Sequence, residues 1–463
     1  VVGPVLGVWT SRSRPRQSGQ SDNSLRFGTT VTGLSASAAG NSAFVLVGAV
    51  GLGYTMGISA LWIAFGFWMG DLLFWYLMSR RLVGRVQAVG VEEISELIAM
   101  QSLGSKLLPL RVAACVVTIA VGLYCAAQFL AVGKITVELF GFTEMVAMSI
   151  VVVAGLTSIV LGGLASSVIV NVYQAGLMII TAALLLFFIG AEILTSPDSF
   201  FVNDSASQLL DPTGGLSIWG VIMFAGTFVL HGFVFATCSP NVLVRITKGN
   251  VDAIPRIRWV YMGFMQSLWW LMTLAGVALA LLSVPAEDPD SVGVGFAQSV
   301  MIAPLLGFFV AGIAAASMST GEAQLLVIAN ALTKDLFPDR FKNLSEKGKN
   351  NALVIGRIVV AIGILVLLLT VSSQQIGNLV IQSSAILNAA FAIPALMFVF
   401  NVSIGGRSMA LMMVSGAVAT IWVRLQFAPP PGQEIFAGWG AALLVLVASF
   451  ALRRRNRTNE HGQ

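Results

Sequence analysis

Charge is what this chain has least of. Only 10% of its 463 residues are Asp, Glu, Lys or Arg, where a soluble domain carries roughly a quarter. So few charges cannot cover a water-exposed surface, and the 57% of residues that are apolar place the chain in a bilayer. Histidine is nearly absent, with His231 alone outside the tail. The three cysteines, Cys115, Cys125 and Cys238, lie in or beside apolar stretches without the spacing of a zinc site or a disulfide framework. The loops hold no nucleotide-binding motif, metal-ligand cluster or catalytic-triad spacing, so no enzyme is expected. A membrane-embedded enzyme would need clustered polar residues at one membrane face.

What the chain does have is long apolar runs. Stretches of about 20 residues, enough to cross a bilayer, number about twelve: 29–51, 57–78, 108–133, 144–164, 168–191, 216–237, 256–283, 300–333, 352–372, 378–401, 405–425 and 435–452. The opening run 1–9 is too short to span. Because the chain begins with Val, this run is read as the remnant of a further helix, which makes about thirteen crossings in an all-α integral membrane protein. A signal peptide is the alternative, but its basic flank precedes the apolar run, and here the basic residues follow.

Cytoplasmic loops hold an excess of Lys and Arg. When successive loops are assigned to alternate sides, all but Lys134 and Arg424 of the 26 basic residues fall on one side, from Arg12 and Arg26 through Arg245 and Lys334 to Arg457. That side is expected to be the cytoplasm, with the tail 453–463 in it and the protein in the plasma (inner) membrane. The net charge of +5 then reports topology and calls for no nucleic acid. The opposite loops are acidic, with Asp198, Asp204, Asp211, Glu287, Asp288 and Asp290. They form either a cation-attracting vestibule or ordinary solvated loops.

Two spans are unusual. In the first, residues 33–43 are almost all Gly, Ala, Ser or Asn, which packs closely against a neighbour or unwinds, since Gly, Ser and Asn lower helix propensity. Asn41 favours unwinding, because an amide at mid-membrane needs partners. In the eighth, Ala316, Ser319 and Thr320 stand at i, i+3 and i+4, so two hydroxyls and a carbonyl share one helix face. Such an all-oxygen corner suits a small hard cation. The competing reading is that Thr320 returns its hydroxyl to the Ala316 carbonyl. The pairing of a weak span with an oxygen-lined one favours an ion site, because unwound carbonyls and neighbouring helices together hold Na⁺ in secondary transporters.

Over essentially its whole length the chain resembles the sodium/solute symporter family, most closely its sodium/proline branch. The resemblance rests on Ser35–Phe44 (SASAAGNSAF), Tyr124–Ala126, Gly162–Gly163 with Gln174–Ala175, Pro240–Arg245 (PNVLVR), Ala316–Thr320 (ASMST), Gln324–Val327 and Lys334–Phe337. It implies one transmembrane transporter domain with two inverted five-helix repeats, 29–191 and 216–401, and two C-terminal helices within 405–452. It also implies a sodium site made by the carbonyls of Ala38, Asn41 and Ala316 and the hydroxyls of Ser319 and Thr320.

Two departures from the family bear on coupling. Gly40 and Asn171 stand where members of the family place aspartates, which implies weaker sodium affinity and one Na⁺ per substrate. Glu322 is a candidate coupling acid; it either holds a negative charge below the site or sits in a wet vestibule. Proline carriers have aromatics where this chain has Phe44, Gly232 and Ala236, while Tyr124 is retained. Phe44, Tyr124, Gln128, His231 and Phe235 would suit an amino acid such as proline or a small organic anion. His231 would hydrogen-bond a carboxylate, take a proton, or simply pack. The expected function is Na⁺-driven import of a small solute by alternating access, with Na⁺ as co-transported ion, no organic cofactor and no obligate protein partner. A proton-coupled carrier and a substrate-sensing membrane module remain open.

Overall fold

The computed structural model describes residues 26–91, 93–195, 206–372 and 374–460. The expected remnant helix 1–9, the basic residues Arg12 to Arg16, the acidic residues Asp198 and Asp204, and the end of the tail lie outside these residues.

The chain is helical almost throughout. Helix α1 is Thr29–Gly40. A π-helical turn, Phe44–Gly48, leads into α2, Ala49–Met56. Then come α3 (Leu61–Leu77), α4 (Ser79–Val89), α5 (Ile94–Met100), α6 (Leu107–Phe140) and α7 (Glu144–Thr195). The second half holds α8 (Ile218–Cys238), a short α9 (Pro240–Ile246), α10 (Ile254–Leu281), α11 (Val292–Val300) and α12 (Ala303–Asn330). Helices α13 (Glu346–Val371), α14 (Ile376–Phe400), α15 (Gly406–Phe427) and α16 (Ile435–Glu460) close the chain. Two-residue strands at Ser102–Leu103 and Ile404–Gly405 pair in parallel and tie the start of α6 to the start of α15.

Among the described residues, ten helices are long and apolar enough to cross a membrane. On α7 the span counted is Ser167–Thr195. The expected turn between 164 and 168 is not formed: α7 runs unbroken for 52 residues, about 78 Å at 1.5 Å per residue, because the Gly162–Gly163 pair lowers helix propensity without removing a backbone donor as proline would. At the start, 44–77 counts as one apolar stretch. It does bend at the expected boundary, since Gly57 adopts φ 61° and ψ −149°, backbone angles open essentially to glycine alone. The last helix continues through the basic tail to Glu460.

Glycines let α3 and α8 approach backbone to backbone. On α3, a β-carbon at Gly66 would collide with the Ala225 carbonyl and one at Gly70 with the Val229 carbonyl, while on α8 one at Gly232 would collide with the Phe67 carbonyl. In a bilayer, where apolar burial does not drive helices together, such backbone contact is what holds them. Ion pairs and hydrogen bonds join loops that the alternation assigns to a common side. Arg80 meets Asp252 at 3.1 Å, Lys334 meets Glu93 at 3.4 Å, and Arg85 donates to the Asn401 side chain at 3.0 Å. Lys134, one of the two exceptions in the basic pattern, meets Asp288 at 2.7 Å and Asp290 at 3.1 Å, both in a loop assigned to its own side.

Candidate functional site

The site is built around the gap between α1 and the π-helical turn. Asn41 and Ser42 are not helical, which leaves backbone groups on either side without intrahelical partners. Side chains from α6 and from the gap itself take them up. The Ala43 N–H donates to Gln128 Oε1 at 2.9 Å, and the Phe44 N–H to Ser42 Oγ at 3.2 Å. Ser42 Oγ in turn lies 3.3 Å from the Tyr124 hydroxyl. Gln128 and Tyr124, expected to face a substrate, therefore cap the restarting helix from α6.

On the other side of the gap, α12 presents its oxygen face to the end of α1. Ser319 Oγ donates to the Ala316 carbonyl at 2.8 Å and lies 3.2 Å from the Ala38 carbonyl. Thr320 Oγ1 donates to the Ala39 carbonyl at 3.0 Å. The return of the Thr320 hydroxyl to Ala316, open from sequence, is thus not made. The same Ala39 carbonyl accepts from Asn241 Nδ2 at 2.9 Å. The side chain of Asn41 turns away from this corner to α10: its Nδ2 lies 3.4 Å from the Phe264 and Met265 carbonyls, and its Oδ1 accepts from Trp269 Nε1 at 3.0 Å. Ala38, Asn41, Ala316, Ser319 and Thr320 are all fully buried.

Beside the gap lies an aromatic cluster. Phe44 and Trp269 have ring centroids 5.0 Å apart, Trp269 stacks on Phe67 at 4.6 Å, and Phe67 meets Phe235 edge-on at 5.1 Å. Of the proposed substrate residues, Phe44 and Phe235 meet here. His231, on the same helix as Phe235, is committed elsewhere. Its Nε2 lies 3.4 Å from the Gly432 carbonyl and its Nδ1 3.1 Å from Asn388 Nδ2, which binds α8 to α14 and the loop before α16. Trp269, Phe67 and Asn241 were not singled out from sequence. An aromatic in an apolar span looks like core, and only the Pro-Asn step that opens α9 marked Asn241.

Linked to the corner through Asn241 is a buried cation. Arg245, on α9, donates to the Asn241 carbonyl at 2.6 Å and to Ser167 Oγ at 2.7 Å. With the Asn171 amide turned so that its donors face acceptors, its oxygen accepts from Arg245 Nε at 3.1 Å and its nitrogen reaches Gln174 Oε1 at 3.1 Å and the Ser167 carbonyl at 3.2 Å. The charge of Glu322, largely buried on α12, acts on the same guanidinium. Arg245 also lines a cavity of about 490 Å³ with Glu93, Glu96, Lys334, Asp335 and Arg357. There burial and then Glu93 push the Glu96 carboxyl up from its ordinary value, against Lys334 and Lys342. Among the described residues no group of three or more His, Cys, Asp or Glu could hold a metal ion. The oxygens on offer, neutral carbonyls and hydroxyls, are those a monovalent cation takes.

Comparison with known proteins bears on what this architecture belongs to. A Na⁺-coupled sialic acid symporter, solved in a substrate-bound outward-open state, superposes with a TM-score of 0.76 over 96% of this chain and 94% of its own, at 14% identity. Mhp1, a nucleobase-cation-symport-1 family transporter, superposes with a TM-score of 0.54 over 94% of each chain, also at 14% identity. In sequence, the osmoregulated proline transporter OpuE of Bacillus subtilis is 26% identical over 442 residues, covering 92% of this chain and 88% of that protein. A sodium/proline symporter of Staphylococcus aureus is 26% identical over 412 residues, covering 86% and 78%. The sequence model of the sodium:solute symporter family matches residues 24–413, and the chain belongs to that family of multi-pass membrane symporters.

Proposed function

We propose that this symporter imports a small amino acid of the proline type, driven by one Na⁺ per substrate held at the Ser319 corner. The observation that carries the reading is the Ser319 hydroxyl, fully buried and within hydrogen-bond distance of the carbonyls of both Ala38 and Ala316. Three of the five expected ligand oxygens are therefore already together. Sodium at the corner would be held by the carbonyls of Ala38, Asn41 and Ala316 and by Ser319 Oγ, with Thr320 Oγ1 turning from Ala39 to complete the set. Both hydroxyls present lone pairs once their hydrogens rotate away.

One ion per substrate is supported by what surrounds Asn171. An aspartate there would face the Arg245 guanidinium; the neutral amide accepts from it instead. A second sodium at that spot would meet a fixed positive charge at short range, which in a low-dielectric interior is strongly repelled. The proline-type substrate is supported by the names of the two relatives and by the aromatic cluster, which offers flat apolar surface beside the gap.

The transport cycle follows from the position of the corner. Na⁺ bridges α1 to α12, substrate then settles against Phe44 and its neighbours, and closure followed by opening toward the cavity at Arg245 releases both. In this reading the repeats are 29–191 and 216–401, and the cavity and C-terminus face the cytoplasm. Each positive charge carried inward gains about 2.3 kcal/mol per 100 mV of membrane potential.

The test is uptake of labelled amino acids and small organic anions into sealed vesicles, with and without an inward Na⁺ gradient. Proline uptake that requires the gradient and collapses with a sodium ionophore is the expected result. Uptake indifferent to Na⁺ refutes the coupling, and Na⁺-driven uptake of a different solute class refutes the substrate.

A further inference from the structure

Asp71 takes no part in the corner, the aromatic cluster or the Arg245 network. It lies on α3, fully buried at the interface with α8 and α10; a β-carbon at Gly232 would come within 3.0 Å of its backbone nitrogen. One oxygen, Oδ2, accepts from Gln266 Nε2 at 3.0 Å. The other, Oδ1, has no hydrogen-bond partner, and neither do Gln266 Oε1, the Tyr261 hydroxyl or Trp75 Nε1. The Trp75 and Tyr261 rings lie 5.1 Å apart, and Tyr261 is close enough for the charge of Asp71 to act on it. Among the described residues, no Lys, Arg or His forms an ion pair with Asp71.

An ionised carboxylate sealed from water, with a single amide donor and no cation, is among the costliest arrangements a membrane interior can hold. A proton removes the charge and gives the acid a donor in a cluster that has two unpaired acceptors. We propose that Asp71 with Gln266 forms a proton-binding site in the membrane interior, separate from the Ser319 corner.

The groups around Asp71 leave it as the titrating one. On α10 the titratable group is Tyr261, on which Tyr124 of α6 also acts. On α8 His231 is held by Gly432 and Asn388. Further along α3, Tyr76 lies under the Arg258 guanidinium at 3.8 Å. Helix α1, TTVTGLSASAAG, carries no titratable side chain. Resting on the proposed transport cycle, the site has a consequence: a state that admits water between α3 and α10 lets Asp71 release its proton, and closure requires it back.

The test reads the proton directly, by infrared difference spectroscopy of the purified full chain in lipid nanodiscs. Samples are titrated with pH, and with NaCl against choline chloride at constant pH. The expected result is a carbonyl band of a buried protonated carboxylic acid that is missing in Asp71→Asn. The band should disappear only on raising the pH, and should persist in Ser319→Ala/Thr320→Ala. In Gln266→Leu it should remain and move to higher frequency as its hydrogen bond is lost. If Asp71→Asn does not yield folded protein, isotope-labelled aspartate in the wild type and the Gln266→Leu shift carry the assignment. Absence of any aspartate band of this kind overturns the proposal, and so does a band that NaCl abolishes at constant pH, because the site then takes Na⁺. Corner variants that keep wild-type Na⁺-driven uptake while the band is intact fail the sodium reading alone, whereas corner variants that lose that uptake in a protein whose wild type shows no aspartate band fail this proposal alone.

Discussion

Replacing Ser319 by alanine should weaken sodium dependence while leaving the fold in place. The hydroxyl lies 2.8 Å from the Ala316 carbonyl and 3.2 Å from the Ala38 carbonyl, and among the described residues no other side chain hydrogen-bonds to the Ala38 carbonyl. In the sodium-free protein its loss removes hydrogen bonds between neutral groups, at about 1 kcal/mol of stability. With Na⁺ bound it removes an oxygen ligand from a charge, worth about 1.5–3 kcal/mol, which corresponds to roughly 10- to 150-fold weaker Na⁺ affinity. Thr320→Ala should cost less, because Thr320 Oγ1 must give up its 3.0 Å hydrogen bond to the Ala39 carbonyl before it can ligate Na⁺, which offsets about 1 kcal/mol of what that ligand contributes. The assay is initial-rate uptake into vesicles across a series of Na⁺ concentrations at constant ionic strength, normalised to the amount of folded protein by size exclusion. The reasoning is refuted if Ser319→Ala keeps the wild-type half-saturating Na⁺ concentration, or if Thr320→Ala shifts it more.

Gln128→Leu leaves the Ala43 N–H at the gap without its acceptor and should lower stability by about 1–3 kcal/mol, seen as a reduced melting temperature in detergent; an unchanged melting temperature would mean the cap is redundant. Gly70→Val drives a side chain into the Val229 carbonyl and should abolish folded protein, whereas Gly84→Ala, where a β-carbon meets nothing within 4 Å, should be neutral or stabilising by up to about 1 kcal/mol; the comparison is yield of monodisperse protein. Asp290 accepts from the Ile376 N–H at 2.8 Å and pairs with Lys134 at 3.1 Å, yet burial outweighs both and raises its carboxyl from 3.8. The folded state therefore holds the proton more tightly than the unfolded one, so this group's contribution to stability falls as pH rises from about 4 through the raised folded value. Melting curves of wild type and Asp290→Asn over pH 4 to 7 should differ in slope, and parallel curves would contradict this.

The membrane class, most span positions and the two unusual segments were legible in the sequence, because each depends on properties local to the chain. Hydropathy over about 20 residues marks a span, and Gly, Ser and Asn weaken a helix wherever they fall, so residues 33–43 announced the gap that opens at Asn41 and Ser42. Residues 316, 319 and 320 share a face by helical spacing alone. Partners were another matter. That Thr320 bonds Ala39 rather than Ala316, that Asn41 faces Trp269, that His231 is taken by Asn388, and that Arg245 sits against Asn171 depends on contacts between segments many residues apart, which no local pattern encodes. The tertiary structure decided these by bringing α1, α9, α10 and α12 together at one point. There the buried polar groups of each helix had to find donors and acceptors on the others, since the apolar interior supplies no water to do it.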